Sequence, residues 1–378
     1  MVRCAAPAPQ PQASGAAAMS GAAPRLGVVG CGTYGQQILR CFAAEARRGR
    51  VTLVALCDPH ADRRARAEAE FGLPGFAEAG QMMQNCALDA VAVATPDHLH
   101  AGVIETAARH GLHVMVEKPL DVDLARATRL ADSFARANRI LYVDQHKRFD
   151  PGHIRLRQDL AAGAFGRPLY GSVHMEDRIE VPEIWLRDWV GHSSPSWFLG
   201  VNFYDLVTWL TGLAPRRVYA TGQKGVLEQR GLPGVWDSVQ AKVDYDTGFS
   251  MHYDLSWILP ASFPSIVNQG IRIVGSEGLA EVDSQQRGYF AARADAPGAL
   301  EGNPFGVLEH DHPLFGPVTD GYVFEAIRHF LDVLAAWRDG GSARALAGRY
   351  PDAASALTAI RLAEAVDRSL ASGGIEPV

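Results

Sequence analysis

The feature that most constrains this chain is a glycine-rich turn close to its start, placed directly after a short apolar run. The run LGVV at 26–29 is followed by Gly30-Cys31-Gly32-Thr33-Tyr34-Gly35, and an amphipathic stretch at 36–47 is predicted to be a helix. In a strand–turn–helix of this kind the first glycine permits the tight turn, the second lets a ligand approach the backbone, and the third lets helix and strand pack closely. The segment therefore predicts a site for the phosphates of a dinucleotide.

Short apolar runs and amphipathic stretches continue to alternate up to residue 146. The apolar runs are VTLVALCD at 51–58, DAVAVAT at 89–95, LHVMVEKP at 112–119 and ILYVD at 140–144. Unbroken apolar strands indicate burial on both faces, and hence a parallel sheet with helices on each side. We therefore predict a doubly wound α/β Rossmann domain over residues 25–146.

The pattern changes after residue 146. Longer runs with two-residue alternation follow one another without helices between them, which is typical of an antiparallel sheet. They are RRVYATGQ at 216–223, SVQAKVDY at 238–245, FSMHYDLSW at 249–257 and IRIVGSEGLAEVD at 271–283. Helices are predicted at 154–162, 203–210, 322–337 and 352–370. We expect residues 147–378 to form an α+β domain with a mainly antiparallel sheet and terminal helices that pack back.

Composition limits the function classes. The 378 residues are 47% hydrophobic, enough for two domains. The net charge of -6, without a concentration of Lys and Arg, argues against a nucleic-acid partner. The longest apolar runs fall far short of the roughly 20 residues that span a bilayer, so no membrane partner is expected. The 5 cysteines form no CxxC pair, which predicts no metal site, no disulfide framework and a reducing, cytoplasmic location.

Residues 1–24 consist mostly of Ala, Pro, Gln, Ser and Gly, and we expect them to be disordered. A secretory signal is the alternative interpretation, but its apolar core would need an uninterrupted run of Leu, Val or Ile. Met19 is an alternative start.

Asp58 ends the second apolar run, about twenty residues after the glycines. A carboxylate there can accept hydrogen bonds from the adenosine ribose of NAD and would repel the 2′-phosphate of NADP. NAD is therefore the predicted cofactor. NADP stays open because Arg63 and Arg64 follow, and an ordinary turn aspartate before Pro59 is the alternative.

Five further segments, taken with the glycine turn, resemble the glucose-fructose oxidoreductase, inositol dehydrogenase and rhizopine-catabolism (Gfo/Idh/MocA) oxidoreductases. They are AVATPDHLHA at 92–101, VEKPL at 116–120, HKRFDP at 146–151, SSPSWFLGVNFYDLVTWLTG at 193–212 and IVGSEGLAEV at 273–282. The resemblance implies hydride transfer between a nicotinamide and a secondary alcohol or ketone of a sugar, cyclitol or related polyol. It also implies that residues 147–378 are a substrate and oligomerisation domain with an open sheet. A homodimer or homotetramer would be built on that C-terminal sheet.

The resemblance places Lys118 at the nicotinamide and the reacting hydroxyl. A lysine at the carboxyl end of a parallel strand lies where open α/β sheets bind ligands and can polarise an alcohol oxygen, although a surface ion pair is the alternative. Pro119 restricts the backbone before it and so fixes where Lys118 points. His100 matches a histidine that is common after the TP turn in this family and is a candidate cofactor contact, but a role in capping or packing the helix is an equal alternative. The cofactor contacts expected in addition to Asp58 and Lys118 are Gly30, Gly32, Thr33, Tyr34, Gly35, Thr95, Pro96, His100 and Glu117.

This chain departs from the family's signature in the second domain. That signature runs Asp, three residues, His, two residues, Asp, with the His as general acid/base. Counting back from Asp205, the His position holds Asn202 and the first Asp position holds Phe198. An amide cannot accept a proton from an alcohol at neutral pH. Either another group moves the proton, or the protein does not perform the usual reaction.

Three side chains are candidates for that proton transfer: Lys118, Tyr204 and His192. Tyr204 could instead be a core aromatic residue and Asn202 a helix N-cap. Catalytic roles are expected for Lys118, Asn202 and Tyr204. Substrate contacts are expected for Lys118, Lys147, Arg148, Phe198, Asn202 and Asp205, with solvated interdomain charges as the alternative for Lys147 and Arg148.

The favoured hypothesis is therefore an NAD(P)-dependent oxidoreductase acting on a polyol. A short-chain dehydrogenase is excluded because no Tyr is followed by Lys at a four-residue step, and a zinc enzyme because Cys and His are not clustered. Two alternatives stay open. One is a dinucleotide-binding sensor or regulator without turnover, and the other is redox-assisted elimination or glycoside cleavage with NAD recycled.

Overall fold

The computed structural model describes residues 22–283, 289–292, 299–303 and 305–378. The segment expected to be disordered lies outside these residues, apart from 22–24.

The first sheet has six parallel strands. They are β1 (Arg25–Val29), β2 (Thr52–Cys57), β3 (Gly75–Phe76), β4 (Ala90–Val93), β5 (His113–Glu117) and β6 (Leu141–Asp144). Their helices are α1 (Thr33–Arg47), α2 (Ala61–Phe71), α3 (Ala79–Asn85), α4 (His100–Arg109) and α5 (Leu124–Arg136). The strand order is β3-β2-β1-β4-β5-β6, so the winding reverses between β1 and β4. Ligands bind at such a switch point in open α/β sheets.

The unbroken apolar runs are explained by burial of this sheet on both faces. All four residues of β4 are fully buried, and they alternate between two cores. Val91 and Val93 pack in one core with Ile104 of α4, while Ala90 and Ala92 pack in the other. The doubly wound α/β prediction is confirmed.

The second sheet has seven strands and is mainly antiparallel, in the order β12-β11-β7-β10-β9-β8-β17. The strands that follow β6 are β7 (Pro168–Arg178), β8 (Pro215–Gln223), β9 (Ser238–Tyr245), β10 (Ser250–Leu259), β11 (Val267–Gly275), β12 (Leu279–Asp283), β13 (Tyr289–Ala292), β14 (Ala299–Gly302), β15 (Leu308–His312), β16 (Gly316–Asp320) and β17 (Ile375–Pro377). The helices are α6 (Pro151–Ala161), α7 (Val201–Thr211), α8 (Tyr322–Arg338), α9 (Ala343–Leu346) and α10 (Ala353–Ser372). Only the central pair, β7 and β10, runs parallel. The open-sheet prediction is confirmed.

Two details differ from the sequence analysis. The run at 271–283, expected to be one strand, is a hairpin of β11 and β12, and Gly275 N donates to Gly278 O across its turn (2.8 Å). The longest strand, β7, was not predicted because its sequence PLYGSVHMEDR is rich in polar residues. Its inward row is Val173, Met175 and Asp177, all buried.

The last two long helices join the sheets. The apolar side of α8 packs in the core that contains β1 and α1, and Tyr142 Oη of β6 donates to Ala326 O of α8 (2.8 Å). By contrast, α10 packs against β8 and α7, and its Ser369 Oγ accepts from Ala220 N (2.9 Å).

Candidate active site

The glycine turn has the geometry of a phosphate cradle. Gly30 has a φ of +95°, and a Cβ there would collide with Ala94 O. A Cβ on Gly35 would collide with Gly30 O, whereas one on Gly32 would meet no atom within 4 Å. Helix α1 begins at Thr33 without a side-chain cap, so its first N–H groups are available to a ligand. The space above Gly32 is therefore the place where a pyrophosphate can approach the backbone.

Asp58 lies immediately after β2, next to this turn. Its Oδ2 accepts a hydrogen bond from Cys31 N (2.9 Å) and its Oδ1 accepts one from His60 N (2.8 Å). The residue is only 3% exposed. Each carboxylate oxygen keeps a further lone pair, so Asp58 can hold the turn and still accept a bond from a ribose hydroxyl.

Lys118 extends from the end of β5 into the second domain. It is 8% exposed, its Nζ donates to Phe198 O (2.9 Å), and the same Nζ lies 4.2 Å from the centroid of the Phe198 ring. Asn202 Nδ2 donates to that same carbonyl (3.3 Å). Lys118 and Asn202, two of the predicted catalytic residues, therefore both donate to the Phe198 carbonyl, although they belong to different domains.

The Phe198 carbonyl belongs to a π-helical turn at Ser196–Gly200 that leads into α7. Single π-turns at the ends of α-helices often occur at functional sites. Asn202 is 2% exposed, its Nδ2 also donates to Leu199 O (3.1 Å), and its Oδ1 has no hydrogen-bond partner among the described residues. Because its amide donates to carbonyls instead of accepting from N–H groups, Asn202 is not an N-cap.

Tyr204 is placed in the core. Its hydroxyl shares a hydrogen bond with Ser196 Oγ (3.0 Å), and its ring packs edge-on against Tyr253 with centroids 5.0 Å apart. Burial raises the pKa of Tyr204, which opposes loss of its proton. No hydrogen bond or ring contact joins Tyr204 to Lys118 or Asn202 in the part of the chain that the structure describes, so the expected catalytic role finds no support in its position.

Arg148 and Asp205, both expected to contact substrate, bind each other. Arg148 Nε donates to Asp205 Oδ2 (2.7 Å), its Nη2 donates to Asp205 Oδ1 (2.5 Å) and to Ser355 Oγ (3.1 Å). Both side chains are buried. This bidentate pair ties the end of the first domain to α7 and α10, and a structural role explains it better than substrate binding.

Lys147 is also buried, at 3% exposure, instead of being solvated. Its Nζ donates to Gln269 Oε1 of β11 and lies 5.0 Å from the centroid of the Phe203 ring.

The fully buried His100 fastens two turns together. Its Nδ1 lies 2.7 Å from Pro119 O, and its Nε2 lies 2.8 Å from Thr95 O. It thereby connects the turn that begins at Thr95 and Pro96 with the turn that carries Lys118. Thr95 Oγ1 is buried without a hydrogen-bond partner among the described residues, so it can bind a ligand. His192 is exposed, and its ring lies 4.5 Å from that of His98.

Glu117, Asp144 and His146 lie together at the ends of β5 and β6. Each has a buried polar atom without a hydrogen-bond partner among the described residues: Glu117 Oε1, Asp144 Oδ1 and His146 Nδ1. The ligating atoms of these residues lie within 4.8 Å of one another, and Tyr34 Oη donates to Asp144 Oδ2 (2.5 Å). Burial raises the pKa of Glu117 to about 8 and that of Asp144 to about 7. The sequence predicted no metal site, because spacing along the chain does not reveal this group.

This trio could coordinate a divalent cation or accept hydrogen bonds from a ligand. Lys118 Nζ already places a positive charge 3.9 Å from Glu117 Oε2, which disfavours a second cation and favours a neutral donor.

Asp177 is a further residue that the sequence analysis missed, because β7 was not recognised. It is 3% exposed, and its Oδ1 has no hydrogen-bond partner among the described residues. Burial raises the pKa of Asp177 to about 7, against the opposing charges of Lys118 and Lys147. A charged residue in the apolar row of a buried strand is the signal that could have found it.

Comparisons with known proteins place the chain in a family. The family model described as "Oxidoreductase family, NAD-binding Rossmann fold" matches residues 24–145, and "GFO/IDH/MocA C-terminal domain" matches 153–281. The rhizopine catabolism protein MocA of Rhizobium meliloti is 30% identical over 257 residues, 68% of this chain and 77% of the relative. Inositol 2-dehydrogenase 1 of Saccharopolyspora erythraea is 30% identical over 291 residues, covering 71% and 81%.

Among solved structures, scyllo-inositol dehydrogenase from Lactobacillus casei, with bound NAD(H) and scyllo-inositol, superposes with a TM-score of 0.72 at 17% identity. The match covers 94% of this chain and 99% of that one. In the described ranges, no helix has both the length and the apolar character needed to span a bilayer.

Proposed function

Since the chain belongs to the Gfo/Idh/MocA family of NAD-binding oxidoreductases, we propose that it oxidises a secondary alcohol of an inositol-like cyclitol or related polyol, with NAD preferred over NADP. The observation that carries the proposal is the position of Lys118. It stands at the carboxyl end of β5, buried between the two domains, with its ammonium held by the carbonyl and ring of Phe198. The names of the curated relatives support a cyclitol.

Different residues bind the cofactor and act on the alcohol. The N–H groups at the start of α1 and the open face of Gly32 hold the pyrophosphate, and Asp58 accepts from the adenosine ribose. NAD, when held there, would supply the hydride acceptor. Lys118 donates a hydrogen bond to the alcohol oxygen and stabilises the negative charge that develops there, while Asn202 orients the hydroxyl.

Lys118 is better suited to donate than to accept a proton. A carbonyl oxygen at 2.9 Å and an aromatic face at 4.2 Å are both partners of an ammonium. The proposed reaction therefore needs a separate proton acceptor.

A binding protein without turnover is the second candidate function. It is favoured by Phe198 and Asn202, which stand where the family has a carboxylate and an imidazole. Such a sensor would bind NAD tightly without producing NADH from any polyol.

Lys118→Ala tests the proposed function. We expect its turnover to fall by about a hundred- to a thousand-fold, because a positive charge that stabilises the reacting oxygen is lost. Its NAD affinity should change little. NADH absorbance with a panel of inositol isomers and sugars measures turnover, and calorimetric titration measures NAD binding.

Lys242→Ala is the matched control, since Lys242 is an exposed lysine paired with Asp244 on β9. Wild-type turnover in Lys118→Ala would contradict the proposed role of that lysine. Tight NAD binding by a wild type that is inert with the whole panel would favour the sensor, and product release without net NADH would favour elimination.

A further inference from the structure

We propose that Asp177 is the general base that accepts the alcohol proton in place of the histidine that this chain lacks. The inference rests on the proposed function and names the missing participant in it.

The strand register places Asp177 on the covered face of the second sheet, the face on which Gln269 accepts from Lys147. On β7 it continues the buried row of Val173 and Met175, which faces away from the exposed side of the sheet. In the pairing of β7 with β11, Val267 lies opposite Asp177 and Gln269 lies opposite Met175. Gln269 is therefore a diagonal neighbour of Asp177 on the same face, about 7–8 Å away. Because Lys147 Nζ donates to Gln269 Oε1, its ammonium lies beside Asp177.

The other neighbouring strand connects Asp177 with Lys118. Ser256 of β10 pairs with Glu176 and Leu259 pairs with Arg178, with a register shift between them, so the fully buried Trp257 lies in the part of β10 that borders Asp177. The Phe198 ring packs against Trp257 with centroids 6.2 Å apart, and Lys118 Nζ lies over the Phe198 ring. Two aromatic side chains in contact with each other, Phe198 and Trp257, therefore connect the surroundings of Lys118 with those of Asp177.

The carboxyl group is prepared to accept a proton. Its Oδ1 accepts no hydrogen bond from any described residue, and the residue is almost entirely withdrawn from solvent. Burial raises the pKa of Asp177 to about 7, and the charged groups that oppose this rise are Lys118 and Lys147. A general base works best when its pKa is near the working pH.

The step balances. The alcohol O–H bond breaks and its proton passes to Asp177 Oδ1, so the carboxylate becomes a carboxylic acid. The adjacent C–H bond breaks and its electron pair leaves as hydride to NAD⁺, which becomes NADH. A C=O bond forms between the two atoms that lost hydrogen. Lys118 stays an ammonium throughout.

Asp177→Asn tests the inference. Turnover should fall by about a hundred- to ten-thousand-fold while the dissociation constant for NAD is nearly unchanged. In the wild type, kcat should rise with pH through about 7 as Asp177 loses its proton, and this rise should disappear in the variant. Asp177→Glu, which keeps the carboxyl group, should recover part of the turnover and the rise.

A stability measurement separates this role from a structural one. A desolvated, unpaired carboxylate opposes folding, so Asp177→Asn should unfold at an equal or higher temperature than the wild type. The matched control is Asp237→Asn. Asp237 is equally buried, but it accepts from Val226 N and Leu227 N at 2.8 Å each, so its variant should lose stability and keep turnover.

The outcomes are distinct. An active wild type with wild-type turnover in Asp177→Asn overturns this inference alone. Inertness of the wild type with every polyol overturns the proposed function and this inference with it.

Discussion

At the scale of single residues, the site shows how one side chain can serve both the fold and the ligand. Asp58 joins two segments that are separate in sequence, because its two oxygens accept from Cys31 N and His60 N. The same carboxylate is the group expected to discriminate against a 2′-phosphate. Affinity for the cofactor and stability of the turn therefore depend on the same charge.

Asp58→Asn separates these effects. One backbone N–H would then face an amide NH₂ instead of an oxygen, which should lower the free energy of unfolding by about 1–3 kcal/mol. The NADP affinity should rise relative to that of NAD because the repelling charge is gone. Urea unfolding measures the change in stability, and calorimetric titration with NAD and NADP measures the change in cofactor preference. Stronger binding of NADP than NAD by the wild type would contradict the role of Asp58.

The replaced signature residues also belong to this scale. Both residues take part in the site. The backbone carbonyl and the ring of Phe198 hold the ammonium of Lys118. Asn202, which the resemblance aligns with the family's histidine, donates to the same carbonyl. We therefore propose that the replacement changes the chemistry of proton transfer and not the position of the lysine.

At the scale of elements, His113 joins two strands of the first sheet to the helix α8. It opens β5, its Nδ1 accepts from Ile140 N just before β6 (3.0 Å), and its ring packs edge-on against Trp337 of α8 with centroids 4.4 Å apart. Because Nδ1 is an acceptor here, protonation of His113 would break the bond to Ile140. Burial lowers the pKa of His113 to about 4.

This predicts a loss of stability in acid. The unfolded chain binds a proton at His113 near its ordinary pKa of about 6.5, while the folded protein resists it until about 4, so the unfolded state binds more protons between these values. The free energy of unfolding should therefore decrease as the pH falls from 7 to 4, by about 3 kcal/mol from this residue. Urea unfolding of the wild type and of His113→Gln across this range measures it.

His110→Gln is the control, since His110 is exposed at the end of α4 and should keep the wild-type pH dependence. The interpretation fails if His113→Gln loses as much stability in acid as the wild type does.

At the scale of the whole molecule, the second sheet has one face covered and one face open. Helices α7 and α10 pack on the buried face, whereas the opposite rows of β7 and β8 present the exposed residues Tyr170 and Tyr219. In the part of the chain that the structure describes, no helix packs over these rows. We propose that this face joins copies of the chain into a homodimer or homotetramer.

Light scattering should therefore give a mass of two or four chains. The double change Tyr170→Glu and Tyr219→Glu places two charges on the open face and should reduce that mass to one chain. Leu314→Glu is the control, because Leu314 is exposed on the hairpin of β15 and β16, away from this sheet. A wild type that scatters as one chain at every concentration would rule out the proposed assembly.

The sequence by itself determined the features that repeat locally. The glycine turn, the unbroken strands of the first sheet and the motif around Lys118 predicted the Rossmann domain, the family and NAD, since each depends on residues close together in the chain. Most of the second sheet followed from alternation, but β7 did not, because its row of buried residues includes an aspartate.

Only the tertiary structure decided which side chains meet. Arg148 and Asp205 turned out to bind each other, Tyr204 lies in the core, and Asp177 is a buried carboxyl group under the influence of two lysines. These contacts join residues far apart in sequence. No local pattern encodes the burial that raises the pKa of Asp177, because it exists only once the chain has folded.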